Sequence, residues 1–139
     1  MILADTGFFY ALLDRDDAWH LRAHAAMQAL DEDLITTWPV LTEAVHLVGR
    51  WLGPAATLPL LEDAADGGFL IWDIPAEPRR RLPALMKRYA DLPMDLADAS
   101  LVLLAEAQGH GRILTTDQRD FRTYRWKSRA PFENLLEKF

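Results

Sequence analysis

Apolar residues form short unbroken runs that alternate along the chain with longer segments of mixed polarity. An unbroken apolar run, unlike an alternating one, is typical of a parallel strand covered on both faces. Residues 1–4 are such a run, and the short, largely apolar segments at 34–37, 69–74 and 112–114 predict three further strands. Apolar residues at helical spacing predict helices at residues 7–13, 17–30, 39–52, 54–66, 77–89 and 96–108.

This alternation predicts an α/β protein. The expected architecture is a three-layer α/β/α sandwich with a central, mostly parallel sheet of four or five strands. The 139 residues are enough for one domain, residues 1–139. The last part of the chain predicts a loop at 117–121, an edge strand at 122–126 and one or two helical turns at 131–139.

Acidic residues follow the first and the last of the four strands. Asp5 comes directly after residues 1–4, and Asp117 comes shortly after residues 112–114. Because the carboxyl ends of parallel strands share one edge of the sheet, we expect these carboxylates to lie together. Glu43 and Asp98 lie early in two of the predicted helices. A pocket that gathered these acids would need a cation to offset its charge.

Each acid on a helix also has a purely structural interpretation. Asp95 suits the N-cap of the helix over 96–108, and Asp98 stands at the position of a capping-box acid. Glu43 would be favoured by the dipole of its helix. However, the neighbours of Asp98 are almost all apolar, so this helix is expected to be buried on every side. A buried carboxylate needs a partner or a metal.

The net charge of −6 is unevenly distributed along the chain. Residues 1–70 carry three Arg/Lys and eleven Asp/Glu, whereas residues 71–139 carry twelve Arg/Lys and ten Asp/Glu. Overall acidity argues against an indiscriminate nucleic-acid binder, but the second half has room for a local basic surface. Its main basic clusters are Arg79, Arg80 and Arg81, and the spaced set Arg119, Arg122, Arg125, Lys127 and Arg129. Taken alone, each cluster is also compatible with a solvated helix face.

Composition excludes several other kinds of protein. The chain has no cysteine, which excludes disulfides and thiolate zinc sites. The apolar run before Asp5 is too short for a signal peptide and no run has the length of a membrane span, so we expect a cytoplasmic protein. His20 and His24 have a spacing that can bind a metal, but no third ligand is apparent, and a solvated polar face is the better interpretation.

Four short motifs, in order along the chain, resemble those of the PIN domain family, and within it the VapC-type toxins of toxin–antitoxin pairs. They are Asp5-Thr6, Thr42-Glu43, Leu96-Ala97-Asp98-Ala99, and Thr115-x-Asp117 with Phe121. The resemblance implies a ribonuclease that depends on Mg²⁺ or Mn²⁺. It also implies an RNA substrate, a cognate antitoxin protein and a homodimer. Asp95 departs from the family pattern, because many relatives have an uncharged capping residue there.

The resemblance also implies roles for individual residues. Asp5 and Asp98 would be the principal metal ligands. Asp117 and Glu43 would hold waters or a second ion and complete the catalytic set. The residues expected to support the site are Thr6, Thr116 and Asp95. The residues expected to hold RNA phosphates are Arg79, Arg80, Arg81, Arg119 and Arg122.

Other classes of protein fit the sequence less well. A haloacid-dehalogenase-type phosphatase, which would also use magnesium, needs a second Asp where this chain has Gly7. A response-regulator receiver needs an acidic pair at the first strand, and none is present. A dinucleotide-binding enzyme would show a Gly-x-Gly-x-x-Gly motif after a strand, which is absent. A non-catalytic RNA-binding or scaffold protein with the PIN fold is also possible, although the intact set of four acids argues against it.

Overall fold

The computed structural model describes residues 1–139 and contains seven strands. The strands are β1 (Ile2–Ala4), β2 (Leu34–Thr37), β3 (Leu70–Trp72), β4 (Arg112–Leu114), β5 (Arg125–Trp126), β6 (Ala130–Pro131) and β7 (Glu133–Asn134). Five of them form one sheet in the order β3-β2-β1-β4-β7, and every neighbouring pair is parallel. The predicted central parallel sheet is confirmed, with five strands.

Eight helices flank this sheet. They are α1 (Thr6–Leu13), α2 (His20–Ala29), α3 (Trp38–Leu52), α4 (Thr57–Asp66), α5 (Ala76–Arg79), α6 (Leu82–Arg88), α7 (Leu96–Gln108) and α8 (Gln118–Thr123). Short 3-10 turns lie at Pro54–Ala56 and Leu135–Lys138. The predicted α/β architecture is therefore confirmed. None of the helices is both long enough and apolar enough to cross a membrane.

The middle of the sheet is completely apolar. All three residues of β1 are fully buried, and Leu3 pairs with Ile35 on one side and with Ile113 on the other. This burial explains why the strand is an unbroken apolar run rather than an alternating one. Because β1 and β4 run parallel in the centre of the sheet, the residues that follow them emerge side by side at its carboxyl edge.

Two predicted helices have different bounds in the structure. The helix predicted from residue 17 begins only at His20, and the Asp17 carboxylate accepts a hydrogen bond from the backbone N–H of Trp19 in the preceding turn. The predicted helix over 77–89 is divided into α5 and α6. Pro83 has no N–H to donate, so it suits the first turn of α6 and not the interior of a continuous helix.

The predicted edge strand at 122–126 is correct only for Arg125 and Trp126, which form β5, and even this strand lies outside the main sheet. Residues up to Thr123 belong to α8, and β5 pairs antiparallel with β6 in a separate hairpin. The reason is that Phe121 and Tyr124 both turn into the core, with ring centroids 5.1 Å apart. The predicted loop at 117–121 is wrong for the same reason, since most of it is the start of α8.

The edge of the sheet is formed by the tail of the chain. Strand β7 pairs with β4, with Ile113 opposite Asn134, and the 3-10 turn at Leu135–Lys138 follows it. The predicted helical tail is therefore correct only for this last turn. Leu135 and Leu136 are buried in the main core, which holds the tail against the sheet.

Helix α7 is buried along most of its length but not at its start. Leu101, Val102, Leu103 and Leu104 are almost fully buried, whereas Leu96 is 50% exposed. The expectation of a helix buried on every side therefore fails in the last turn, where Ala107 is exposed, and in the first turn. That turn is the part of α7 that reaches the carboxyl edge of the sheet.

Candidate active site

An acidic cavity of about 340 Å³ lies at the carboxyl edge of the sheet, where β1 and β4 end. Seven carboxylates line it, and no lysine or arginine does. We call this the acidic cavity, and its acids are Asp5, Asp17, Glu43, Asp95, Asp98, Asp117 and Asp120. Thr6 and Thr116 line it as well. The structure therefore brings together all four predicted catalytic acids and all three predicted supporting residues, whose roles stay predictions.

Asp5 is the most buried acid of the cavity, with 6% of its surface exposed. It is the N-cap of α1, and its Oδ1 accepts a 2.7 Å hydrogen bond from the backbone N–H of Thr6. Its Oδ2 accepts a 2.7 Å hydrogen bond from the hydroxyl of Thr115. Both carboxylate oxygens are thus fixed in direction by the protein.

Thr115 is itself held by the edge strand. The side-chain amide of Asn134 donates to the Thr115 carbonyl over 2.9 Å and accepts from the Thr115 backbone N–H over 3.3 Å. The Thr115 hydroxyl also accepts a hydrogen bond from the backbone N–H of Asp117. The sequence pointed to Thr116 instead, since only the strand pairing reveals which of the two adjacent threonines faces Asp5.

Asp98 has the predicted capping box and a further partner that the sequence did not indicate. Oδ1 of Asp95 accepts from the backbone N–H of Asp98, and Oδ2 of Asp98 accepts weakly, at 3.4 Å, from the backbone N–H of Asp95. The hydroxyl of buried Tyr124 donates a 2.9 Å hydrogen bond to the same Oδ2. The capping interpretation is therefore correct, and it does not conflict with a site for a ligand.

Glu43 and Asp117 complete the predicted set. The Thr6 hydroxyl lies 3.4 Å from Oε2 of Glu43, which ties the first turn of α1 to α3. Asp117 is the N-cap of α8, and its Oδ1 accepts from the backbone N–H of Asp120 over 3.1 Å. Both acids keep one carboxylate oxygen free of these bonds.

Two more acids, Asp17 and Asp120, line the cavity without having been predicted. Asp17 lies in the turn between α1 and α2, and Asp120 lies in the first turn of α8. Oδ1 of Asp120 is buried without a hydrogen-bond partner, although the Arg119 guanidinium lies 3.4 Å away. Neither residue could be recognised from the sequence alone, because charged turns of this kind usually face solvent.

Gly7 is required by the packing of the site. A Cβ built on Gly7 would lie 2.0 Å from the hydroxyl oxygen of Thr116. This close approach allows Thr116 to cover the start of α1 at the cavity wall. The second Asp of a haloacid-dehalogenase-type phosphatase, which would occupy this position, has no room here.

The acids of the cavity are difficult to ionise together. Burial raises the pKa of Asp5 to about 6, helped by the charges of Glu43 and Asp117 and opposed by its hydrogen bonds. Burial, with the charges of Asp95 and Asp5, raises the pKa of Asp98 to about 8. Burial also raises the pKa of Glu43 and of Asp117. A bound cation would reverse these effects by supplying the missing positive charge.

The donor set fits a hard divalent cation. All of the acidic groups offer oxygen ligands, which Mg²⁺ and Mn²⁺ prefer. No three His, Cys, Asp or Glu side chains are already assembled as a complete ligand cluster. Magnesium usually takes only one or two protein carboxylates and keeps several waters, so a pair such as Asp5 and Asp98 has the number and kind of ligands that it requires.

The two histidines of α2 have a structural role. A ring nitrogen of His20 lies 2.7 Å from the Ala11 carbonyl, and one of His24 lies 3.1 Å from the Leu12 carbonyl. These carbonyls belong to the last turn of α1 and have no partner within the helix. The histidines thus satisfy a helix end, which explains their spacing without a metal.

The predicted RNA-binding arginines lie outside the acidic cavity. Arg79 donates to the Ile74 carbonyl, and Arg81 pairs with Glu106 near the far end of α7. Arg80 lies beside Glu77 at the surface. Arg119 is the nearest to the site, since it neighbours Asp120, and its side chain is 80% exposed. Arg122 pairs with Glu137 of the tail.

Comparisons with known proteins agree with the fold. The model of the PIN domain family matches residues 2–127. The chain is 26% identical over 124 residues to Ribonuclease VapC26 of Mycobacterium tuberculosis, covering 89% of this chain and 92% of that protein.

Two solved structures share the fold. One is VapC20 of M. tuberculosis, a sarcin-ricin-loop-cleaving toxin, with a TM-score of 0.79, 19% identity and coverage of 86% of this chain and 92% of that one. The other is a toxin–antitoxin complex from Klebsiella pneumoniae, with a TM-score of 0.62, 20% identity and coverage of 87% and 90%.

The fold and site together define an α/β protein with an acidic centre at the carboxyl edge of a parallel sheet. The chain belongs to the PIN domain family. The resemblance to VapC-type members, predicted from four short motifs, is confirmed.

Proposed function

We propose that this protein is an endoribonuclease that depends on a divalent cation, Mg²⁺ or Mn²⁺. The observation that carries the proposal is the acidic cavity, in which seven carboxylates meet without any lysine or arginine. Such a concentration of like charge is costly unless a cation offsets it. Similarity to Ribonuclease VapC26 supports RNA as the substrate.

In this proposal Asp5 and Asp98 hold the cation, directly or through water, and Asp117 contributes a further oxygen. A bound divalent cation polarises the scissile phosphate and lowers the pKa of a bound water. Thr115 and Tyr124 orient the two principal carboxylates through their hydrogen bonds. Glu43 lies at the cavity wall, close to Thr6, where it can position a water or accept its proton.

Basic residues outside the cavity would hold the RNA backbone. Arg119 is the best placed, because it is exposed and adjacent to the cavity wall. Arg122 lies on the same short helix. The contribution of Arg79, Arg80 and Arg81 would require an RNA that extends along α7, since they lie near its far end.

We further propose that the protein is the toxin of a toxin–antitoxin pair and forms a homodimer. The structural likeness to a toxin–antitoxin complex from K. pneumoniae and the sequence similarity to VapC26 support this biological role. An antitoxin that places a basic side chain among the acids would replace the charge of the cation and silence the enzyme. Expression of the chain alone is expected to arrest growth, and expression of Asp5→Asn is not.

The activity is tested by incubating purified protein with RNA in millimolar Mg²⁺ or Mn²⁺. Cleavage is expected with wild type and with Asp66→Asn, a substitution on the exposed end of α4, and not with Asp5→Asn or in EDTA. Undiminished cleavage in EDTA would contradict cation dependence. If wild type binds cellular RNA but does not cleave it in either Mg²⁺ or Mn²⁺, the protein would instead be a non-catalytic scaffold.

A further inference from the structure

A groove lies beside the acidic cavity at the same edge of the sheet. It has a volume of about 580 Å³, and Trp38, Pro39 and Leu96 form much of its wall. Glu43 and Asp95 line both the groove and the acidic cavity, so the two spaces are neighbours that share a wall. We call this second space the aromatic groove. Its wall is mostly apolar, in contrast to that of its neighbour.

Trp38 presents a flat aromatic surface in this groove. It is the first residue of α3, directly after β2, and it is 53% exposed. Its indole N–H donates a 2.7 Å hydrogen bond to the carboxylate of Asp73, which directly follows β3. Because this bond holds the edge of the ring, little side-chain freedom would be lost when a second flat group stacks on its face.

We propose that the aromatic groove binds an unpaired nucleobase of RNA, stacked on Trp38, while the adjoining phosphate lies at the acidic cavity. This inference rests on the proposed function and extends it by naming the form of the substrate. Unpaired bases stack on aromatic side chains in many proteins that bind single-stranded nucleic acid. Trp38 lines the groove, Asp98 lines the cavity, and Asp95 lines both, so in this proposal one nucleotide spans the two neighbouring spaces.

The charges around the groove favour a base over a phosphate. No lysine or arginine lines the groove, and the carboxylates of Glu43 and Asp95 border it. A phosphate would be repelled there, whereas an uncharged base offers amino and imino hydrogens that carboxylates accept. His46 lies on the same wall and supplies a ring nitrogen for a further hydrogen bond.

The groove is less suited to a protein partner. Trp38 and Leu96 are the only large exposed apolar side chains that line it. Two such residues make a small patch compared with the roughly 800 Å² per partner of a standard protein interface. A single flat nucleobase stacked on Trp38 matches the size of this exposed apolar surface more closely than a protein partner does.

The test uses single-stranded RNA octamers that carry 2-aminopurine at successive positions, whose fluorescence is quenched by stacking. Binding is measured with Ca²⁺, and cleavage of the same octamers is measured with Mn²⁺. One position is expected to be quenched by wild type and not by Trp38→Ala. Trp38→Ala should bind the octamers roughly 5- to 150-fold more weakly, as expected for loss of one stacked base. Trp38→Phe should retain most of the affinity.

The matched control is Trp51→Ala. Trp51 is 65% exposed on the same helix, but it lies about 20 Å further along at 1.5 Å per residue. This variant should bind and quench like wild type. Melting temperatures of all variants check that each is folded. Because both tryptophans are more than half exposed, their replacement is expected to leave the fold intact.

Several results would overturn the proposal. One is equal RNA binding by wild type, Trp38→Ala and Trp51→Ala, and another is the absence of quenching at every position. A change of oligomeric state in Trp38→Ala with unchanged RNA binding would assign the groove to a second copy of the chain. If Trp38→Ala cleaves and binds the octamers as wild type does, the stacking site is rejected and the proposed ribonuclease activity stands. Trp38-dependent binding without cleavage would support the stacking site and contradict the ribonuclease.

Discussion

The hydroxyl of Thr115 donates a 2.7 Å hydrogen bond to the carboxylate of Asp5, across 110 positions of the sequence. Both residues are buried and follow neighbouring strands of the central sheet. This bond fixes the direction of the acid that lies deepest in the cavity. It is also a contact that single substitutions can remove without changing the shape of the core.

Thr115→Val should destabilise the protein and weaken its response to metal. The substitution keeps the shape but removes the donor to Asp5 and the acceptor of the Asp117 N–H. A loss of about 1–3 kcal/mol in the free energy of unfolding is expected, because buried groups lose their partners. Denaturant unfolding in EDTA and in Mn²⁺ measures both effects. Thr115→Ser should recover most of the loss.

The control for Thr115 is Thr57→Val, which removes a local hydroxyl contact to the Pro54 carbonyl at the start of α4. Its effect should stay within about 0.5 kcal/mol, as for most surface substitutions. If Thr115→Val were as stable and as active as wild type, Thr115 would have no role in positioning Asp5.

Tyr124→Phe should move the pH dependence of cleavage to higher pH. The hydrogen bond from Tyr124 lowers the pKa of Asp98 against the effect of burial, so its removal raises that pKa further. Asp98 would then ionise, and accept a cation, only at higher pH. The midpoint of the acidic limb of the rate profile in Mn²⁺ is the quantity to measure.

Tyr89→Phe is the matched control for Tyr124. It also removes one buried phenol, which accepts from the backbone N–H of Arg125, but its hydroxyl does not bond to Asp98. Both variants should lose stability, and only Tyr124→Phe should shift the midpoint. Equal midpoints in all three proteins would show that Tyr124 does not influence the site.

Without metal, the protein should become less stable as the pH rises from about 4 to about 8. The folded-state pKa of Asp5 is about 6 and that of Asp98 is about 8, both above the value of 3.8 for an unperturbed Asp. The folded state therefore binds more protons than the unfolded state across this range. The free energy of unfolding falls as these protons are lost.

The measurement is the melting temperature in EDTA between pH 5 and pH 9, compared between variants. Asp5→Asn and Asp98→Asn should each flatten the decline, whereas Glu62→Gln on the surface of α4 should not. His110, whose pKa is lowered by burial, titrates in all of these proteins and cancels in the comparison. Parallel curves for wild type and both Asn variants would contradict the raised pKa values.

The positions of the acids in the fold could be predicted from the sequence where they follow directly from strands or helix starts, while their roles stay predictions. Asp5 lies at the end of an unbroken apolar run, and Asp98 lies one turn into a capped helix, so their meeting follows from the parallel topology. Asp117 is placed by the same rule. These positions depend on the local pattern of residues and on the order of strands and helices along the chain, and both are visible in a single sequence.

Residues that were missed depend on contacts between distant segments. Tyr124 was assigned to an edge strand, whereas its ring packs against Phe121 and its hydroxyl donates a hydrogen bond to Asp98. Asp17 and Asp120 lie in a charged turn and a short helix that tertiary packing turns towards the cavity. The true edge strand is a two-residue pairing, too short to leave a pattern.

The central claim is that Asp98 helps to hold a divalent cation as well as capping α7. Asp98→Asn keeps the shape of the side chain and an oxygen acceptor, but it removes a carboxyl group that must either take up a proton or be held as a crowded charge when the protein folds without metal. In EDTA the variant should therefore be at least as stable as wild type at neutral pH. A purely capping role predicts instead a loss of up to about 1 kcal/mol.

Thermal unfolding of wild type and Asp98→Asn in EDTA and in millimolar Mn²⁺ tests this claim most directly. A cation that binds only the folded state stabilises wild type and so raises its melting temperature. The free energy of unfolding increases by about 2.7 kcal/mol when the cation concentration is 100 times its dissociation constant. Asp98→Asn should show a much smaller rise. A melting temperature of wild type that is the same with and without Mn²⁺, or an equal rise in both proteins, would contradict a cation site at Asp98.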